Sequence, residues 1–166
     1  MDHVVDITST QMLLRLLIAA VIGGVIGFER RARHKPIGIA GMMLVAIGSA
    51  SYMMLAMYLA ANDPAAISRA LQGLLQGIGF LGGAVIFKTG TTVQGIKTAA
   101  AIWITGAIGL AIGTWFWVLG VIVGLATALI LYVTDDLLAP KERTDDPTTA
   151  TSADQRAQST LDKRTD

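Results

Sequence analysis

The sequence predicts an all-α polytopic membrane protein: a bundle of five transmembrane helices, N-terminus outside and C-terminus cytoplasmic. The longest uncharged run carries most of that expectation. From Thr98 to Val133 there are 36 residues without a charged side chain. At about 1.5 Å per residue that is on the order of 54 Å of helix. A bilayer core is only about 30 Å thick, so the run must cross, turn and cross back. Composition agrees, because 53% hydrophobic and 15% charged residues, with a mean hydropathy of +0.59, give more apolar surface than a soluble domain carries. The apolar residues also gather into segments of spanning length separated by basic loops, and none shows the alternating polarity that a barrel needs.

Residues 1–11 are expected to form an extracytoplasmic segment. Asp2 and Asp6 stand where a secretory signal would be basic, so the first apolar segment is expected to be retained. The transmembrane domain then covers 12–133, with helices at about 12–28, 37–61, 64–87, 98–113 and 116–133. In lipid each backbone amide of such a segment finds its partner only within its own helix. Asp63 and Pro64 open the third helix, one as a cap for exposed amides and the other as a first residue with no amide hydrogen to satisfy. The last two helices turn at Gly113-Thr114-Trp115, where glycine frees the backbone and Trp115, Phe116 and Trp117 suit the membrane surface. Residues 134–166 hold eight acidic and five basic side chains with few large apolar ones, which predicts a disordered cytoplasmic tail.

Orientation follows from the basic residues. Five alternating crossings place Arg30, Arg31, Arg33, Lys35, Lys88, Lys97, Lys141 and Arg143 on one side, against Arg15 and Arg69 on the other. The positive-inside bias makes the first side cytoplasmic.

Several function classes lose support. A net charge of +1 gives no basic excess for nucleic acid, and the absence of cysteine removes disulfides and thiolate metal sites. His3 and His34 fall on opposite sides in this topology, the apolar segments carry no Asp or Glu, and no nucleophile, base and acid are grouped. No metal, cofactor or enzymatic activity is expected.

Polar chemistry concentrates on the third helix. Arg69, Gln72 and Gln76 fall at i, i+3 and i+7 on one face, which Gly79 and Gly83 continue. Two readings stand: the glutamines bond to neighbouring helices while the glycines permit close packing, or the stripe lines a polar pathway or partner site. GxxxG pairs recur at Gly23/Gly27, Gly73/Gly77, Gly79/Gly83, Gly109/Gly113 and Gly120/Gly124. They suit packing within the chain or a homodimer. Glu29, Arg30 and Arg31, with Lys97 from a neighbouring loop, form a candidate cytoplasmic corner, either a topology anchor that attracts anionic lipid or a partner site. Glu29 needs a partner there, with Arg33, Lys88 and Lys97 as choices. The loop Lys88 to Lys97 reads as a structured, partly re-entrant segment; its hydroxyls and lysines would suit an anion, but it lacks a P-loop pattern.

Three stretches together resemble the membrane domain of the MgtC/SapB family of bacterial inner-membrane proteins. They are Gly23-Gly24-Val-Ile-Gly27-Phe-Glu29-Arg30 with Lys35-Pro36-Ile-Gly38, then Gly77-Ile-Gly79-Phe80-Leu81-Gly82-Gly83, then Val93-Gln-Gly95-Ile-Lys-Thr98-Ala99-Ala100-Ala-Ile-Trp103. The resemblance spans roughly Leu13 to Val133. It departs after Gly38, where relatives often carry Arg-Thr-His and this chain has Ala40-Gly41-Met42, and in a tail too short for the soluble domain many relatives carry. It implies a multi-pass protein of the bacterial inner membrane, non-enzymatic and associated with magnesium limitation, acid or host stress, and virulence. It also implies a membrane partner, which in some relatives is the F-type ATP synthase. A small-solute or ion transporter is the alternative.

Overall fold

A computed structural model describes residues 9–60, 63–114 and 116–137. The N-terminal segment, Trp115 with its expected interfacial ring, and the tail from residue 138 lie outside the described residues. The element order is α1 (Ser9–Ala32), α2 (Ile39–Ala60), α3 (Pro64–Ala84), β1 (Phe87–Thr89), β2 (Thr92–Gln94), α4 (Ile96–Gly113) and α5 (Trp117–Leu137). The five helices lie in one unit, which ends at Asp136, one residue short of the end of α5. Four of them, α1, α2, α4 and α5, are long and apolar enough to cross a membrane. α3, which carries Arg69, Gln72 and Gln76, is not among those four.

Local chemistry sets the ends of these helices. At α3, Asp63 Oδ1 accepts from the Ala65 amide at 2.9 Å and Pro64 takes the first helical position. α1 runs beyond its apolar segment and closes with paired bonds, the His34 amide to Arg31 O and the Lys35 amide to Arg30 O, both at 3.0 Å. That is a Schellman end, with His34 in the left-handed position (φ 54) and Pro36 just beyond it. α1 therefore includes Glu29, an acid the apolar segments lacked. The long uncharged run is divided into α4 and α5, with Thr114 to Phe116 between them.

The segment between α3 and α4 is a two-stranded antiparallel hairpin rather than a re-entrant loop, pairing Phe87 with Gln94, Lys88 with Val93 and Thr89 with Thr92. Gly90 (φ +61) supplies the left-handed turn, and β-branched Thr92 and Val93 open the second strand.

α1 packs most extensively on α2, and α2 next on α4. The core is correspondingly fine-grained: Ala19 and Ile26 from α1, Met42, Ala46 and Ala50 from α2, Ala101, Ile102, Ile108 and Ile112 from α4, closed by Ile78 of α3 and Leu131 of α5. Small residues at the crossings bring the backbones together. An added Cβ at Gly23 would meet Met42 O at 2.7 Å, and one at Gly113 would meet Ala50 O at 2.5 Å. Outward, Leu13, Val21, Phe28, Leu44, Leu59, Leu125 and Leu129 are each at least half exposed. Water would make that surface an aggregation site, whereas lipid tails solvate it.

Candidate functional site

The buried charges lie near the two ends of α1. Arg15 is 9% exposed and its Nη1 donates to Gly113 O at 3.1 Å and Thr114 O at 2.8 Å. These carbonyls end α4, where the last turn has no amides of its own to satisfy it and the helix dipole favours a cation. In sequence Arg15 is one of the few basic residues of the expected outer side, with nothing beside it to indicate another role. The signal was its position inside an apolar segment, where an ionisable residue needs a buried partner.

Fifteen residues further on, about 22 Å along the helix, Arg30 is fully buried and its Nε donates to Glu29 Oε2 at 2.6 Å. Glu29 pairs with its immediate neighbour Arg30. Its other oxygen, Oε1, is buried without a hydrogen-bond partner among the described residues. Arg31 is exposed. Lys97 lines a separate cavity with His34 and Lys35. At the expected corner the structure thus shows a buried Glu29/Arg30 ion pair and, at Lys97, a basic pocket.

The glycines divide as well. Gly23 and Gly27 of α1, and Gly109 and Gly113 of α4, lie against α2 backbone atoms and are part of the packed bundle. Gly77, Gly79 and Gly83 of α3 have nothing within 4 Å of where a side chain would begin. Arg69, Gln72 and Gln76 are exposed along the same helix, and Arg69 reaches Asp63 at 3.6 Å. α3 turns Ile78 and Gly82 toward α4 and leaves its polar stripe on the outside of the bundle. Among the described residues no three His, Cys, Asp or Glu side chains are grouped to hold a metal ion.

A model of the MgtC family matches residues 16–139. The chain belongs to the MgtC family. It is 39% identical over 130 residues to Protein SrpB of Synechococcus elongatus, covering 70% of this chain and 71% of that protein. It is 34% identical over 134 residues to the Escherichia coli K12 protein named "Putative magnesium transporter YhiD", covering 75% and 61%. It is 38% identical over 95 residues to Protein MgtC of Brucella abortus, covering 57% and 39%. The matched part is thus less than two thirds of the last two relatives. No solved structure matches. The family match places this chain among multi-pass membrane proteins, in keeping with its four apolar helices.

Proposed function

We propose that this MgtC-family chain is a non-enzymatic regulator of the bacterial inner membrane that works through lateral helix contacts made by α3. In this reading all five helices cross, the N-terminus lies outside and the C-terminus in the cytoplasm. The observation that carries the proposal is the outer face of α3. Arg69, Gln72, Gln76, Gly79 and Gly83 follow alternating steps of three and four, the spacing of a helix-pairing seam, and all five are exposed. Exposed side-chain amides are disfavoured against lipid, and open glycines beside them let another helix approach closely. Glutamine both donates and accepts, so a second copy placed about a twofold axis satisfies the stripe with itself.

The same observation weighs against a solute path through a single copy, because the stripe faces outward and would need another body to wall it off. Kinship supplies the setting: YhiD carries magnesium transport in its name, and adaptation to low Mg²⁺, acid or host stress is the role proposed for this chain. The F-type ATP synthase is the membrane complex that the resemblance nominates as a partner.

The chain has no cysteine, so single-cysteine crosslinking in native membranes is a clean test. Gln76→Cys and Gly79→Cys should crosslink to a second copy or to a membrane complex, while Ile122→Cys on α5 should not. Absence of crosslinking at both α3 positions would refute the proposal. Specific flux in liposomes that disappears in Gln76→Leu would replace it with transport.

A further inference from the structure

The hairpin joins α3 to α4, and its cross-strand pairs sort its side chains onto two faces. Phe87 and Gln94 form one pair and line the cavity beside the end of α1, while Lys88 and Val93 form the next pair and take the opposite, outer face. There Val93 is 50% exposed, and Ile86, just before the first strand, and Ile96, which opens α4, are 42% and 60% exposed. We infer that the outer face of the hairpin rests in the headgroup layer of the bilayer, with Ile86, Val93 and Ile96 against acyl chains and Lys88 on the phosphates of anionic lipid.

The length of α4 sets the depth. Its 18 residues give about 27 Å of helix. That is slightly less than a hydrocarbon core of about 30 Å, so a spanning α4 has both ends at the edge of the core. Ile96 is its first residue, and only Gly95 separates Ile96 from the second strand. The hairpin is thereby held at the boundary.

The exposed face of α4 leads to the same place. Ile96 and Trp103 lie two turns apart on one side of the helix and are both exposed, whereas Thr98, Ala101, Ile102 and Thr105 are buried on the other. Val93 and Ile96 therefore extend the lipid-facing wall of a crossing helix, and a tryptophan marks that wall just below them.

The backbone of the hairpin keeps it from going deeper. Two strands of three residues pair only with each other, so each keeps an outer edge of unpaired amides and carbonyls. Hydrocarbon cannot satisfy those groups, and hydrated headgroups can. A protein occupant fits less well, because three half-exposed side chains fall far short of the roughly 800 Å² that each partner of a stable complex buries. Lys88 selects the sign of the lipid: it is exposed directly across from Val93, where its stem can follow the apolar surface and its ammonium can reach the phosphates.

The full-length chain has no native cysteine, so single nitroxide labels can be placed on it in nanodiscs of phosphatidylcholine and phosphatidylglycerol. Collisions with oxygen report lipid, and collisions with a nickel chelate report water. Labels on Val93→Cys and Ile96→Cys should favour oxygen, approaching the ratio at Leu44→Cys on the exposed side of α2, while a label on Thr91→Cys at the hairpin turn should favour nickel. If one of the first two variants fails to fold, the other carries the reading. Nickel access at position 93 equal to that at 91 puts the hairpin in water and overturns the inference. Shielding from both reagents puts a protein there and overturns it too. A fluorophore at position 93 should also be quenched more by brominated phosphatidylglycerol than by brominated phosphatidylcholine, and Lys88→Gln should lower that preference about fivefold, the share of one lysine at an anionic surface. Equal quenching by the two lipids, or a preference that Lys88→Gln leaves untouched, overturns the role of Lys88.

Discussion

Placing the same methyl group on two glycines that look alike in sequence should move stability by clearly different amounts. At Gly27 an added Cβ would lie 2.6 Å from Ile39 Cα, 2.9 Å from Gly38 O and 3.0 Å from Ile39 O. All three are backbone atoms, so no rotamer change relieves the crowding. Ordinary contact begins at 3.4 Å, and α1 and α2 must therefore part by about 0.8 Å along their main interface. At Gly79 nothing lies within 4 Å. Both substitutions gain the roughly 0.8 to 1 kcal/mol by which alanine exceeds glycine in a helix. That gain cancels in the comparison, and the difference isolates the packing cost. Overpacking of this kind costs about 1 to 3 kcal/mol, so Gly27→Ala should be less stable than Gly79→Ala by that amount. SDS titration of detergent-purified protein, followed by helical circular dichroism, measures both under one condition. Equal stabilities, or a more stable Gly27→Ala, would show that the α1/α2 contact is not as drawn. Gly79→Ala should at the same time reduce crosslinking through α3, which separates its effect on association from its effect on folding.

The buried charges give further expectations. Arg15→Met removes donors to Gly113 O and Thr114 O and should cost about 2 kcal/mol in the same titration, charged hydrogen bonds being partly offset by relief of desolvation. Arg15→Lys should recover part of the loss by keeping a cation at the end of α4. Glu29→Gln removes a carboxylate that pairs with fully buried Arg30 and should cost about 3 kcal/mol, whereas replacing both residues with methionine should cost less than Glu29→Gln alone. Asp63→Ala removes the cap of α3 and should lower stability by about 1 kcal/mol. Arg69→Ala should change it by less than about 0.5 kcal/mol, because its ion pair with Asp63 is long, exposed and screened by solvent.

Composition and the long uncharged run were enough to expect a helical membrane protein, because the bilayer imposes length and polarity on each crossing segment. The turn near Gly113 was legible for the same reason: 36 uncharged residues exceed one crossing. Arg15 was harder to place. A charge near the start of an apolar segment looks like an interfacial anchor until the tertiary fold brings the end of α4 against it. The glycine pairs shared one spacing, yet Gly23 and Gly27 meet backbone while Gly79 and Gly83 meet nothing. Spacing reports that a face is small, and only the fold decides what stands opposite. The hairpin had a readable signal in Thr92 and Val93 after Gly90, hidden by two strands of three residues each.

Close approach on both sides of α2 has a mechanical consequence. Ala46 meets Gly23 with its Cβ on one flank and Gly109 with its carbonyl on the other, and one turn along Ala50 meets Gly113. Three backbones held this tightly have no slack in which to slide or roll singly, and they move as one plate. α3, joined to α4 through the hairpin and anchored to that plate by Ile78 against Gly106, turns its bare outer edge away from it.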